Sequence, residues 1–273
     1  MSDYSQWLGK SETRLDCMHH DHALRVAATL NETAPQAGEA LPLLWHWTYF
    51  QEPVPSALTG PDGHPKTGGF LPEVGDKVRM WAGGRLSFLK SLKVGMPAER
   101  VSTIANISEK VGRTGSLLFV TVKHEYRQAG ELMISEEQDI VYRDASISER
   151  KLSTDDMESD WTEAVDLDPV TLFRYSAVTF NSHRIHYDWR YVTEIEGYPG
   201  LVIHGPLTAT LVLRAFTRAK PDSTVRSFAF KGVKPLIQGD EVRLNGRIDG
   251  AGQATVWASS AYGTCQVGSV GFG

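Results

Sequence analysis

The chain has 273 residues, 41% of them hydrophobic and 22% charged, an ordinary globular balance that argues against a disordered chain and supplies a buried core. Lys and Arg number 28 against 33 Asp and Glu, so the formal net charge is −5 and no basic footprint exists for a nucleic-acid partner. The two cysteines, Cys17 and Cys265, form neither a disulfide framework nor a CxxC metal motif, which points to a reducing compartment. Met1 to Lys10 lacks the regions of a signal peptide, and the longest uncharged apolar stretch, Tyr198 to Leu213, is too short to span a bilayer. The expectation is a cytoplasmic protein with no membrane contact.

In chain order, His22 to Leu30 has apolar residues at helical spacing, and Leu41 to Phe50 (LPLLWHWTYF) is apolar on nearly every face, a second helix candidate after Pro42. Gln51 to Leu71 is punctuated by prolines and glycines and reads as loop or lid. From Arg85 the period becomes two: Leu86 and Phe88, Val101 to Ile107, Leu117 to Tyr126 and Leu132 to Tyr142 are strands of an antiparallel sheet. The acidic stretch Ser146 to Asp168 reads as a solvated linker. Helices follow at Leu172 to Phe180 and Pro206 to Arg218, then strands at Ser227 to Lys231, Glu241 to Ile248 and Ala254 to Tyr262. Pro206 suits a first helical turn, where its missing N–H costs nothing, and the helix behind it is apolar enough to be wrapped by a sheet.

The two halves repeat one order, 1–150 and 165–273. Leu92-Lys93-Val94-Gly95 parallels Leu236-Ile237-Gln238-Gly239, and Ala28-Thr29-Leu30-Asn31 parallels Val178-Thr179-Phe180-Asn181. The chemistry concentrates in Thr179 to Pro206, where Asn181, His183, Arg184, His186, Tyr187, Asp188, Arg190 and Tyr191 crowd together.

His186-x-Asp188-x-x-Tyr191, followed by Gly197 and Ile203-His204-Gly205, resembles the hydratase 2 motif of MaoC-like hot-dog proteins. Phe180 to Asp188 (FNSHRIHYD) is similar to the type 2 hydroxyacyl-thioester dehydratase branch. Pro42 to Trp47, Met80 to Arg85 and Gln138 to Arg143 resemble the itaconyl-CoA and mesaconyl-CoA hydratases within it. The resemblance implies an α+β double hot-dog, two antiparallel sheets each wrapped on a central helix, and reversible addition of water to an enoyl-CoA. The first half would form the acyl pocket without an intact catalytic motif, because Gln36 stands where the parallel histidine would fall.

Hydration of an α,β-unsaturated thioester needs a base for water, a proton for Cα and donors for the thioester oxygen. His186 is the expected base, with His183 sharing proton traffic. The Gly205 N–H, at the start of the Pro206 helix, points at the developing enolate. The motif's usual Asp five residues before the histidine is replaced by Asn181, which cannot take a proton and is expected to orient the water. His204 and the aromatics Trp81, Trp45, Trp47 and Phe70 are candidates for substrate contact, with packing as the competing role. Asp188 is expected to fix the loop. A dicarboxylic acyl group needs a buried cation, for which Arg184 and Arg79 are the candidates.

The leading expectation is a hydro-lyase converting itaconyl-CoA to citramalyl-CoA in itaconate degradation, with the mesaconyl-CoA C4 thioester second. The alternatives are a general 3-hydroxyacyl-thioester dehydratase and a non-catalytic acyl-CoA binding protein. A thioesterase would need an acidic residue in an apolar helix, and neither candidate helix has one. No metal and no cofactor beyond the substrate's own CoA is expected, and a homodimer is compatible with this reading.

Overall fold

The computed structural model describes residues 4–75, 77–112, 115–144, 150–153 and 157–273. In chain order the elements are β1 (Ser11–Asp16), α1 (His20–Leu30), β2 (Val78–Phe88), β3 (Ala98–Gly112), β4 (Gly115–Gln128) and β5 (Glu131–Arg143). Then come β6 (Trp161–Val165), α2 (Pro169–Val178), α3 (Trp189–Glu194), α4 (Gly205–Ala219), β7 (Val225–Gly232), β8 (Val242–Gly250), β9 (Gln253–Ser260) and β10 (Gly263–Phe272).

Among the described residues the ten strands form one antiparallel sheet in the order β1-β3-β4-β5-β2-β7-β10-β9-β8-β6. Read from either edge, the order is the same, so each half lays its first, third, fourth, fifth and second strands side by side. The halves meet where β2 pairs with β7, from Gly83 opposite Lys231 to Ser87 opposite Ser227. Glycine is required at that seam: a Cβ on Gly83 would lie 2.3 Å from the Phe230 carbonyl oxygen. This is the α+β double hot-dog, and α4 is its central helix. Leu207, Leu211, Val212, Ala215 and Phe216 are buried against β7 to β10. Removal of the Leu, Val and Phe side chains among these from water contributes roughly 1.5–3 kcal/mol each. The exposed end of α4 carries Arg214 and Arg218, which share Glu32 and Glu163 as ion-pair partners.

Three expectations change. The helix after Pro42 is a single 3₁₀ turn, Trp45–Thr48, so the described residues of the first half hold no long central helix. Leu44 before it and Phe50 after it hold positive φ (67° and 55°), which a continuous α-helix cannot contain. The acidic segment expected as a linker contains β6, which pairs with β8 from Trp161 opposite Gly246 to Val165 opposite Val242. Residues 146–149 and 154–156 of that segment lie outside the described residues. Finally, the register of the repeat moves by one. The helices α1 and α2 end in matching turns, with Asn31 and Phe180 at positive φ (55° and 51°) and the next N–H, of Glu32 or Asn181, bonded five residues back. Glu32 is therefore the counterpart of Asn181, and Ala37 that of His186. No helix among the described residues is long and apolar enough to cross a membrane.

Candidate active site

The turn that ends α2 presents Asn181, whose Oδ1 accepts the His183 backbone N–H at 3.0 Å. A 3₁₀ turn, Arg184–His186, follows, and Asp188 caps α3 by accepting the Tyr191 N–H at 3.0 Å. Asp188 also holds the Arg184 guanidinium at 2.8 Å, so it fixes the loop.

His186 is buried, and its Nδ1 lies 2.7 Å from the carbonyl of Val202. A carbonyl only accepts, so Nδ1 carries the hydrogen and Nε2 keeps its lone pair. Val202 is itself pinned by its N–H to the Ile185 carbonyl and by a bridge to Ile237. Burial lowers the His186 pKa to about 4, against the opposing pull of the Val202 carbonyl. The ring is therefore a neutral base at neutral pH.

His204 stacks on His186, with centroids 3.7 Å apart and planes at 18°. It is fully buried and bonded to Ser176 Oγ at 2.8 Å. It forms a shelf beneath the base, with its Nδ1 buried and unpartnered among the described residues. Gly205 follows it as the first residue of α4. It is exposed with open space where a Cβ would be, and Gln266 Nε2 donates to its carbonyl at 3.1 Å.

His183 lies against His186 (5.4 Å between centroids) and against His64 (3.9 Å). His64 arrives from the proline-rich loop of the first half, and its Nδ1 bonds Asp62 Oδ2 at 2.9 Å. Burial depresses the pKa of both His64 and His183, each helped by the neighbouring ring or by Arg79. Asp62 is held at about 2: burial opposes ionisation, and the bonds and charge of His64 overcome it. The loop is keyed in place. Asp62 accepts the Arg184 N–H at 2.8 Å, Pro61 accepts from the Arg184 guanidinium at 2.9 Å, and Gly63 accepts from Ser182 Oγ. Among the described residues, Asp62, His64 and His183 converge their donor atoms within 4.8 Å in an arrangement that could hold a metal ion, although Asp62 and His64 already satisfy each other. The proline count marked this segment as a loop, and nothing local in it signals that it enters the site.

A cavity of about 230 Å³ opens between the halves. Asn181 and Pro206 form its wall on the motif side, and Trp47 and Trp81 on the first-half side. Trp45 is core, and Phe70 packs on a separate cluster with Val74, Ile104 and Leu118. Neither expected arginine lines the cavity. Arg184 is committed to Asp188 and stacks 4.0 Å over Tyr191, and Arg79 lies toward His64 and His183. The cationic side chain of the cavity is Arg100.

A fold of this topology, with a buried tautomer-locked histidine beside a helix N-terminus, defines a MaoC-like hydratase or dehydratase. Solved structures show the same fold: a MaoC-like dehydratase from Phytophthora capsici (TM-score 0.71, 12% identity, 100% of this chain and 99% of that one) and another MaoC-like dehydratase (TM-score 0.72, 17% identity, 97% and 98%). Residues 44–238 match the family model for hydroxyacyl-thioester dehydratase type 2, and the chain belongs to that family. It is 40% identical to the mesaconyl-C(4)-CoA hydratase of Chloroflexus aurantiacus over 98% of this chain and 99% of that protein. The chain is thus a hydro-lyase of the enoyl-CoA hydratase type.

Proposed function

We propose that this hydro-lyase adds water reversibly to a short dicarboxylic enoyl-CoA, the C4 thioester of mesaconic acid ahead of itaconyl-CoA. The 40% identity to a mesaconyl-C(4)-CoA hydratase favours that order over the sequence expectation. The observation that carries the reading is His186, whose Nδ1–H is spent on Val202, which leaves Nε2 basic, and whose ring stacks on His204 at the N-terminus of α4.

In this reading His186 Nε2 takes a proton from water as the oxygen bonds to Cβ. The displaced π electrons move to the thioester oxygen, where the Gly205 N–H and the α4 dipole meet the charge. The proton returns to Cα. Asn181 uses its Oδ1 to hold the loop, which leaves its amide N–H₂ to orient the water. His183 is the second proton carrier, with the Asp62–His64 pair behind it. The small cavity beside Asn181 supports a short acyl group over a long chain, and a competent base argues against a mere binding protein.

The test is hydration of mesaconyl-C4-CoA, itaconyl-CoA and crotonyl-CoA by the purified protein, followed by loss of enoyl absorbance. Turnover of a dicarboxylic thioester well above crotonyl-CoA supports the reading. Activity on crotonyl-CoA alone makes the protein a general enoyl hydratase, and silence on all three restores the binding-protein alternative.

A further inference from the structure

The inner face of the first-half sheet is not a continuous apolar surface. Along β3 the inward positions are Ala98, Arg100, Ser102 and Ile104. Along β4 they run from Val122 through His124 to Tyr126, and along β5 from Ile134 through Glu136 and Gln138 to Ile140. The outer members of each row belong to two separate hydrophobic clusters, so a polar band crosses three strands between them. Burying polar groups in the middle of a sheet face costs free energy unless they are paired.

Most of them are. His124 bonds Ser102 Oγ at 2.8 Å. Glu136, with no exposed side-chain surface, accepts from Trp47 Nε1 (2.8 Å), Tyr126 OH (3.0 Å) and Gln138 Nε2 (2.8 Å), and lies 3.3 Å from His46 Nε2. Two donors are left over. Arg100 Nε and Trp81 Nε1 are both buried without a hydrogen-bond partner among the described residues. The nearest carboxylate to Arg100, that of Glu12, is a loose 3.9 Å away. Arg100 and Trp81 both line the cavity that reaches Asn181 and Pro206, and Trp81 forms an aromatic wall there with Trp47 (4.9 Å) and Phe230 (5.7 Å). A half-buried guanidinium whose Nε is buried and unpartnered, and an indole N–H at the same small cavity, next to a carboxylate already saturated with donors, make a site for one further anion.

We infer that this cavity is a carboxylate pocket in which Arg100 and the Trp81 indole N–H bind the distal carboxylate of the acyl group. The inference rests on the dicarboxylic hydratase reading and assigns the residues that select its substrate. It replaces Arg184 and Arg79 in that role.

The test compares kcat/KM for mesaconyl-C4-CoA and crotonyl-CoA in the full-length protein and in Arg100→Gln, Arg100→Lys and Trp81→Phe. The preference for the dicarboxylic thioester should fall about 100-fold in Arg100→Gln and about tenfold in Trp81→Phe, the range of charge-assisted hydrogen bonds, with Arg100→Lys recovering part of it. A preference within about threefold of wild type in Arg100→Gln, small against such bonds, overturns the pocket. Should Arg100→Gln fail to fold, Trp81→Phe, which keeps an aromatic ring but removes the N–H, decides by the same criterion. Should the wild type hydrate neither thioester, calorimetric binding of the two separates the claims. A dicarboxylic preference lost in Arg100→Gln keeps the pocket while the hydratase reading falls, and no preference overturns the pocket as well.

Discussion

His186 shows how one hydrogen bond assigns a chemical role. With Nδ1–H committed to Val202, replacement by Ala removes the base and should lower kcat by roughly two to four orders of magnitude. A smaller loss, below about tenfold on the same scale, would move the role to His183. Its depressed pKa makes a second prediction. Burial holds His186 neutral down to about pH 4, so a kcat/KM profile taken from pH 5 to 8 should show no acid limb near 6.5 from this group. A limb at the ordinary imidazole value would show the ring to be solvated. The motif residues were visible in the sequence because they lie together in the chain. The roles of His204 and Arg184 were not, since both depend on what each side chain touches once folded: Ser176 and the His186 ring for one, Asp188 and Tyr191 for the other.

Among the elements, the loop around His64 carries the most consequence for its length. Gly63 has φ +90°, and a Cβ there would lie 1.9 Å from the Ser182 carbonyl oxygen, backbone against backbone. Gly63→Ala should therefore cost about 2 kcal/mol or more and should also lower kcat, because the loop shifts His64 away from His183. Gly38→Ala is the control: its φ is +85° with no atom within 4 Å, so it bears the backbone strain alone, about 1 kcal/mol. Urea unfolding and initial rates on both variants check this, and equal losses would mean that the loop is not keyed into the site. Periodicity located α1, α2, α4 and most strands, because burial of one face imposes it. The 3₁₀ turn at Trp45–Thr48 escaped, since a run apolar on all sides has no period, and its shape follows from Leu44 and from the pull of Glu136 on Trp47.

For the whole molecule, burial of histidines ties stability to pH. His186 and His124 are each lowered to about 4, in both cases chiefly by desolvation. The unfolded chain protonates these groups near 6.5 and the native state does not, so their stability is fully present above about pH 6.5 and is lost as pH falls toward 4. Each such shift corresponds to about 3 kcal/mol by the end of that window. The urea midpoint should be level between pH 7 and 8 and fall steadily below 6.5. Equal midpoints at pH 5 and 7.5 would mean that the native histidines titrate as solvated ones do. By itself the sequence determined the period of each element, the duplicated order and the motif from Asn181 to Gly205, because these are written in near neighbours. Tertiary structure decided what fills the space between the halves: the Asp62–His64 pair brought to His183, and the band of Arg100, His124, Glu136 and Gln138 across three strands. Alternation shows which face a strand residue occupies. Which distant residues share that face follows from strand pairing and register, and those are set by packing of the whole sheet.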